Sequence, residues 1–306
     1  MIELMPREEL RDETREGRPR VMADGEKIPI DPKDIPESLL QEVYRFACDY
    51  SVALVYGDGM IGSGTLIKWG REHGILTAQH VRAEIQGRRA EKLRIPVMMN
   101  RVSSLGFDAA HLDFIDIGIP ERAGSSPDLS IVKLPRTSSL GTLKAKYLFY
   151  DVVLRRENKL KAAMLEGGIW LMVGHPSDKV SDSVARWGSP NSVHCPRMGI
   201  IGSLLGRSKK GIFDYLEIGV YGSAEDGSLR SYKGFSGGGV WSAPLAGDAK
   251  TLQLALGKPV LAGVAFYQTD VEDNCRRIRC HGPKSIYEAL TSCLEEGRLT
   301  EGAAPP

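Results

Sequence analysis

Apolar residues in this chain recur with two different periods, and the change of period marks out its elements. After Pro36-Glu37-Ser38, the residues Leu39, Leu40, Val43, Tyr44 and Phe46 return at the spacing of a helix that buries one face. From Ser51 the period shortens to that of strands. Residues 52–56, 64–69 and 74–77 predict three short strands parted by Gly-rich turns, and 93–99, 112–117 and 129–134 bring the number to about six. Six strands with turn signals at such short intervals suit a closed antiparallel barrel. A Lys- and Arg-rich stretch, 135 to about 160, reads as a crossing to a second strand series at 169–173, 198–204, 215–220, 239–241 and 260–267. Residues 283–296 return to the helical period, with Ile286, Tyr287, Ala289, Leu290 and Leu294 forming an apolar stripe.

The expected organisation is a charged leader over 1–36, a helix and first barrel over 37–135, a linker and second barrel over 136–282, and a helix with a frayed tail over 283–306. The leader, dotted with Pro19, Pro29, Pro32 and Pro36, reads as a mobile segment or one lying over the body. Composition changes this picture little. A chain of 306 residues accommodates two domains, 42% hydrophobic residues supply their cores, and 34 glycines suit many tight turns. The net charge of +1 asks for neither nucleic acid nor an anionic membrane, and Arg155-Arg156 and Arg276-Arg277 read as solvated surface. No signal peptide and no run of about 18 apolar residues is visible. Five cysteines, an odd number at irregular spacing, are expected to be reduced thiols in a cytoplasm. Cys275, Cys280 and His281, with His194-Cys195, lack a paired C-x-x-C, so no metal is expected.

Three short segments carry candidate chemistry: Thr77-Ala78-Gln79-His80, Asp128-Leu129-Ser130-Ile131-Val132 and Gly234-Phe235-Ser236-Gly237-Gly238-Gly239. Together they can supply a Ser-His-Asp hydrolase triad in the order His, Asp, Ser, with 48 residues between the first two and 108 between the last two. Ser236 needs a base to accept its proton, and His80, following the apolar Ile75-Leu76, can be that base and then the acid for the leaving amine. Asp128 would fix the imidazole tautomer, with Asp113 and Asp116 as competitors. The backbone N–H groups of Gly234 and Ser236 can point together at a developing oxyanion. Gly234 to Gly238 also fits the G-x-S-x-G elbow of α/β-hydrolases. That fold requires a strand before the serine, a helix after it and a later histidine; 228–233 is polar, and only His281 follows. The elbow reading is therefore set aside.

These segments, with Gly62-Ser63-Gly64-Thr65-Leu66-Ile67 and Val173-Gly174-His175-Pro176, give a chain that resembles the trypsin-like serine peptidases, its bacterial and HtrA-type members more than the secreted digestive enzymes. The likeness covers roughly residues 50 to 296. It implies a mainly β chymotrypsin fold of two six-stranded antiparallel barrels, with an N-terminal and a C-terminal helix, and it favours Asp128 because that residue directly precedes an apolar strand. It also implies a substrate cleft walled by Ala265, Phe266, Tyr267 and Gln268, with Phe235 to the side, and a strand edge at 266–268 that pairs with substrate backbone. The other histidines, His73, His111, His175, His194 and His281, are left structural, although His175 follows a strand and can approach the cleft.

The departures from the family also matter. Phe235 stands where trypsin-type zymogens carry an aspartate that pairs with a freshly cut N-terminus, so activation of that sort is not expected. The residue six before the serine is Arg230, with Lys233 nearby, and a literal reading favours acidic side chains in the substrate. No PDZ-like module is expected after the barrels, which weighs against an HtrA-type quality-control role. The expected function is a serine endopeptidase that needs no cofactor, acts on a protein or peptide substrate, and is narrow in specificity or controlled by a regulatory protein partner, as in defence or regulatory proteolysis. The alternative is a catalytically silent peptide-binding module of the same fold.

Overall fold

The computed structural model describes residues 20–23, 26–29, 34–56, 59–88, 92–98, 102–117, 127–165, 167–177, 195–221, 231–247 and 254–295. Arg230 and His194 lie outside the described residues. The leader contributes two paired strands, β1 (Arg20–Ala23) and β2 (Glu26–Pro29). Helix α1 (Glu37–Cys48) follows, its buried face made by Leu40, Val43, Tyr44, Ala47 and Cys48. Next come β3 (Ser51–Tyr56), β4 (Gly59–Trp69), β5 (Glu72–Thr77), a short helix α2 (Gln79–Gly87), β6 (Lys92–Met98), β7 (Val102–Asp108), β8 (Asp113–Asp116) and β9 (Ser130–Lys133). The linker carries α3 (Ser138–Lys146), β10 (Tyr150–Asp151) and α4 (Arg156–Ala163). The remainder comprises β11 (Ile169–Gly174), β12 (Met198–Lys210), β13 (Phe213–Tyr221), β14 (Gly239–Ala243), β15 (Leu245–Gly247), β16 (Leu254–Leu256), β17 (Val260–Glu272), β18 (Cys275–His281) and helix α5 over 283–295.

The second strand series closes into a six-stranded barrel in the order β11-β12-β13-β18-β17-β14. The first does not. It is an eight-stranded sheet in the order β7-β6-β3-β4-β5-β9-β8, with the short β10 added parallel to β4. Two closed barrels were expected, so this half is corrected to an open sheet. The opening lies between the two edge strands. Asp108 ends β7 and its side chain accepts the Ala110 N–H at 3.0 Å, capping a single tight turn over Ala109–His111. That turn carries the chain round the corner into the four-residue β8, and among the described residues no ladder joins β7 to β8. The leader strands join β15 and β16 in a separate four-stranded sheet, where β1 runs parallel to β15 with Met22 opposite Ala246.

The halves meet along an aromatic seam. Trp241 of β14 packs on Phe46 of α1, on Tyr50 and on Tyr150 of β10, with ring centroids 5.5, 5.3 and 5.4 Å away. Behind it runs a closed hydrogen-bond circuit. The Leu261 N–H donates to Tyr150 Oη (3.4 Å), that hydroxyl meets Tyr287 Oη (3.0 Å), and Tyr287 donates back to the Leu261 carbonyl (2.8 Å). Linker, barrel and final helix are thereby satisfied at one buried point, where an unpaired hydroxyl would be unfavourable. Among the described residues no helix is long and apolar enough to cross a membrane, and the five cysteines are free thiols.

Candidate active site

Strand β5 ends at Thr77 and α2 begins at Gln79, so His80 stands in the first turn of a helix, where backbone N–H groups lack intrahelical partners. Asp128 fills that need twice over. Its Oδ1 accepts the His80 N–H at 2.9 Å, and its Oδ2 lies 2.6 Å from His80 Nδ1. The antiparallel pairing of β5 with β9, Thr77 opposite Ser130, is what draws these two distant segments together. Burial alone would raise the Asp128 carboxyl, but the bonds from the His80 ring and backbone outweigh it and hold the group below the ordinary carboxylate range. An ionised Asp128 requires a hydrogen on Nδ1, which leaves Nε2 as the basic nitrogen. The competing carboxylates are placed elsewhere. Asp116 is gripped by the Arg82 guanidinium and the Ser130 hydroxyl, and Asp113 is exposed at the start of β8.

Ser236 sits in the turn that leads into β14. Gly237 there has φ +86°, and a Cβ on it would come within 2.1 Å of both the Ser63 carbonyl oxygen and Thr77 Oγ1, so no larger residue fits. Three N–H groups of the turn are consumed internally: Phe235 donates to Tyr232 O (3.1 Å), Gly237 to Ala265 O (2.8 Å) and Gly238 to Phe235 O (2.7 Å). The two that remain, on Gly234 and Ser236, donate to no described residue. Two idle donors one residue apart, in a turn whose other amides are all satisfied, are available to an incoming anion.

One residue without an assigned role in the sequence joins the sheet to this turn. Ser63 on β4 donates its N–H to Ser236 O (2.8 Å) and its hydroxyl to Gly234 O (2.6 Å). The same hydroxyl accepts the His175 N–H (2.9 Å), while the Ser63 carbonyl accepts from the Thr77 hydroxyl (2.8 Å). Its only sequence signal is its place between two glycines. A Cβ on the first of these, Gly62, would lie 2.8 Å from the Val81 methyls and 3.0 Å from Ser236 O, so the neighbour of His80 and the backbone of Ser236 pack across it. The His80 ring and the Ser236 hydroxyl are not hydrogen-bonded to each other. Ser63→Ala is expected to lower stability by about 1–3 kcal/mol by orphaning the buried His175 N–H. Urea unfolding of the variant measures this; an unchanged midpoint would show that Ser63 does not hold the turn.

The five expected wall residues part company. Phe235 and Ala265 are each 3% exposed. Phe235 is packed against Tyr232 and Gly174, and both backbone groups of Ala265 are spent on Gly237 and Gly238. The Gln268 side chain accepts the Tyr232 N–H at 2.8 Å, supporting the turn. Phe266 is half-buried over His281, and Tyr267 is open, with the Arg279 guanidinium 5.9 Å from its ring centre. Beyond Val264, where pairing with β14 stops, that edge of β17 bonds to no described strand.

His281, read from sequence as merely structural, is fully buried beneath this arrangement. Its ring lies tilted against Phe266 (4.7 Å) and Tyr215 (5.1 Å), with the Asp128 backbone nearby. Burial pushes it down to about 4 although Asp128 and Asp214 favour its charge; His175, also buried and near Arg197, is pushed down to about 3. As pH falls below the ordinary 6.5, unfolded chains take up protons on both rings that the folded protein refuses. Stability is therefore full above about 6.5 and declines as pH falls towards these folded-state values. Denaturant unfolding from pH 6.5 down to 4 should show that decline, and His281→Phe should make it shallower; an identical slope in the variant would contradict the assignment.

No family model matches the chain, and no curated protein matches it. Among solved structures it is similar to an HtrA-type protease AlgW with tripeptide, at 15% identity and TM-score 0.43, over 84% of this chain and 64% of that one. It is also similar to the serine protease domain of the Sesbania mosaic virus polyprotein, at 13% identity and TM-score 0.41, over 79% of this chain and 92% of that one. A further likeness, at 14% identity and TM-score 0.41 over 79% and 90%, is to a structure describing coupled folding and binding of the intrinsically disordered Sesbania mosaic virus VPg protein. Likeness at this level assigns no function, and the chemistry of the chain has to come from its own residues.

Proposed function

We propose that this protein is a serine endopeptidase. The observation that carries the reading is the double grip of Asp128 on His80, ring and backbone at once, which fixes the tautomer a general base needs. In the proposed reaction the Ser236 hydroxyl gives its proton to His80 Nε2 as Oγ bonds to the substrate carbonyl carbon. The oxyanion is received by the idle N–H groups of Gly234 and Ser236. The imidazolium, stabilised by Asp128, then protonates the amine as the C–N bond breaks. Water repeats the sequence against the acyl-enzyme and releases the acid.

The substrate is a protein or peptide, bound as an added strand along the unpaired edge of β17 from Phe266 onward, with Tyr267 as its exposed contact. The turn bearing Ser236 is held by the burial of Phe235 rather than by an ion pair, so control falls to narrow specificity or a protein partner. The free thiols fit a reducing compartment such as the cytoplasm. The silent-binder alternative draws on the one link not made, between His80 and the Ser236 hydroxyl. A fluorophosphonate probe separates the two readings. Labelling of wild type at Ser236, alone or with a partner protein present, supports the peptidase. Failure to label under both conditions leaves the binder.

A further inference from the structure

Away from the Ser236 turn, the tip of the β4–β5 hairpin, the foot of α3 and the linker enclose an open cleft of about 680 Å³. Four cations line it: Lys68, Arg71, Arg136 and Lys144. Among the described residues no carboxylate does. Two acids stand at its margin, where Glu72 pairs with Arg136 and Lys133, and Asp151 lies 3.8 Å from Lys68. Arg71 and Lys144 are exposed and make no ion pair with any described residue. The two cations without a matching carboxylate, Arg71 and Lys144, concentrate anions at the hollow, and an arginine offers a phosphate two parallel donors.

Most of the remaining lining is aromatic, with Gly70 and Leu148 beside it. His73 and Phe149 meet edge to face at 4.8 Å, and Tyr50 and Tyr147 complete the wall. Planar apolar walls beside free cations match a ligand with a flat ring at one end and several negative charges at the other.

We propose that this cleft binds a nucleotide, its phosphates on Arg71 and Lys144 and its base against the aromatic wall. His73 reports on the site without being its ligand anchor: burial, then Lys144 and Lys68, lower its proton affinity, and only Glu72 and a bond to the Arg71 backbone oppose them. The site is remote from the proposed chemistry. His73 lies near the start of β5, about 13 Å along the strand from Thr77 at its end, and His80 stands beyond that in α2. The assignment is independent of the peptidase reading.

Calorimetric titration of the full chain with adenosine triphosphate, and separately with pyrophosphate, tests it. Adenosine triphosphate should bind, and Arg71→Ala and Lys144→Ala should each weaken it tenfold or more while melting like wild type, since both side chains are exposed. Bound nucleotide should also raise the pH midpoint of the His73 ring signals in a magnetic resonance titration. No heat with millimolar adenosine triphosphate, equal affinity in both variants, or pyrophosphate binding as tightly as the nucleotide would each overturn the assignment.

Discussion

Ser236→Ala should lower the hydrolysis of a cleaved peptide by about a million-fold, with fluorophosphonate labelling abolished. The size of the effect follows from the chemistry. Without Oγ there is no acyl-enzyme, and what survives is the aid the remaining donors and the bound geometry give to water. His80→Ala should fall about as far, because an unassisted hydroxyl is a poor nucleophile. Replacing both should be no worse than replacing one, since the two act in a single step. Steady-state kinetics on a peptide found by library profiling would measure all three. If the double variant were slower than both single variants by the product of their effects, Ser236 and His80 would not be acting together, and the proposed mechanism would fail.

The second large effect is expected from Asp128→Asn, about 10⁴-fold in kcat with little loss of stability. The amide has the size of the carboxylate, and asparagine also serves well at a helix start, so its Oδ1 can still accept the His80 N–H at the head of α2. Its NH₂ group, however, faces Nδ1 as a donor. The ring must then carry its hydrogen on Nε2, the wrong side for taking a proton from Ser236. Asp128→Ala should instead lose both functions, with lower stability as well as lower activity. A kcat drop in Asp128→Asn with an unchanged melting temperature bears out the tautomer argument; retained activity would sink it.

Much of this arrangement can be read in the sequence because short-range signals fix it. The apolar runs SVALVY and IWLMVG are buried from end to end and form β3 and β11, as continuous hydrophobic strands should. Pro36-Glu37-Ser38 opens α1, and the stripe from Ile286 to Leu294 forms α5. The rest depends on pairings that local pattern does not encode. The first sheet stays open at β7 and β8, a non-pairing that no local pattern in either strand announces. Phe235 fills the space beside Gly174, a contact between segments about 60 residues apart. His281 reaches the neighbourhood of Asp128 only because β17 and β18 fold back as a hairpin on the second barrel. The cations of the Arg71 cleft come from a hairpin tip, a linker and a helix, and charge counting along the chain spreads them thin.

The fourfold engagement of Ser63 bears on how the protein can move. Its hydroxyl and amide are bonded to the barrel and its carbonyl to the neighbouring strand, so the two halves cannot swing apart like a clamshell without releasing the loop around Ser236. Any opening motion would switch the centre off before widening it. On the proposed peptidase reading, polypeptides would then thread in sideways, already extended, which favours unfolded tails and slack linkers over the rigid surfaces of compact proteins.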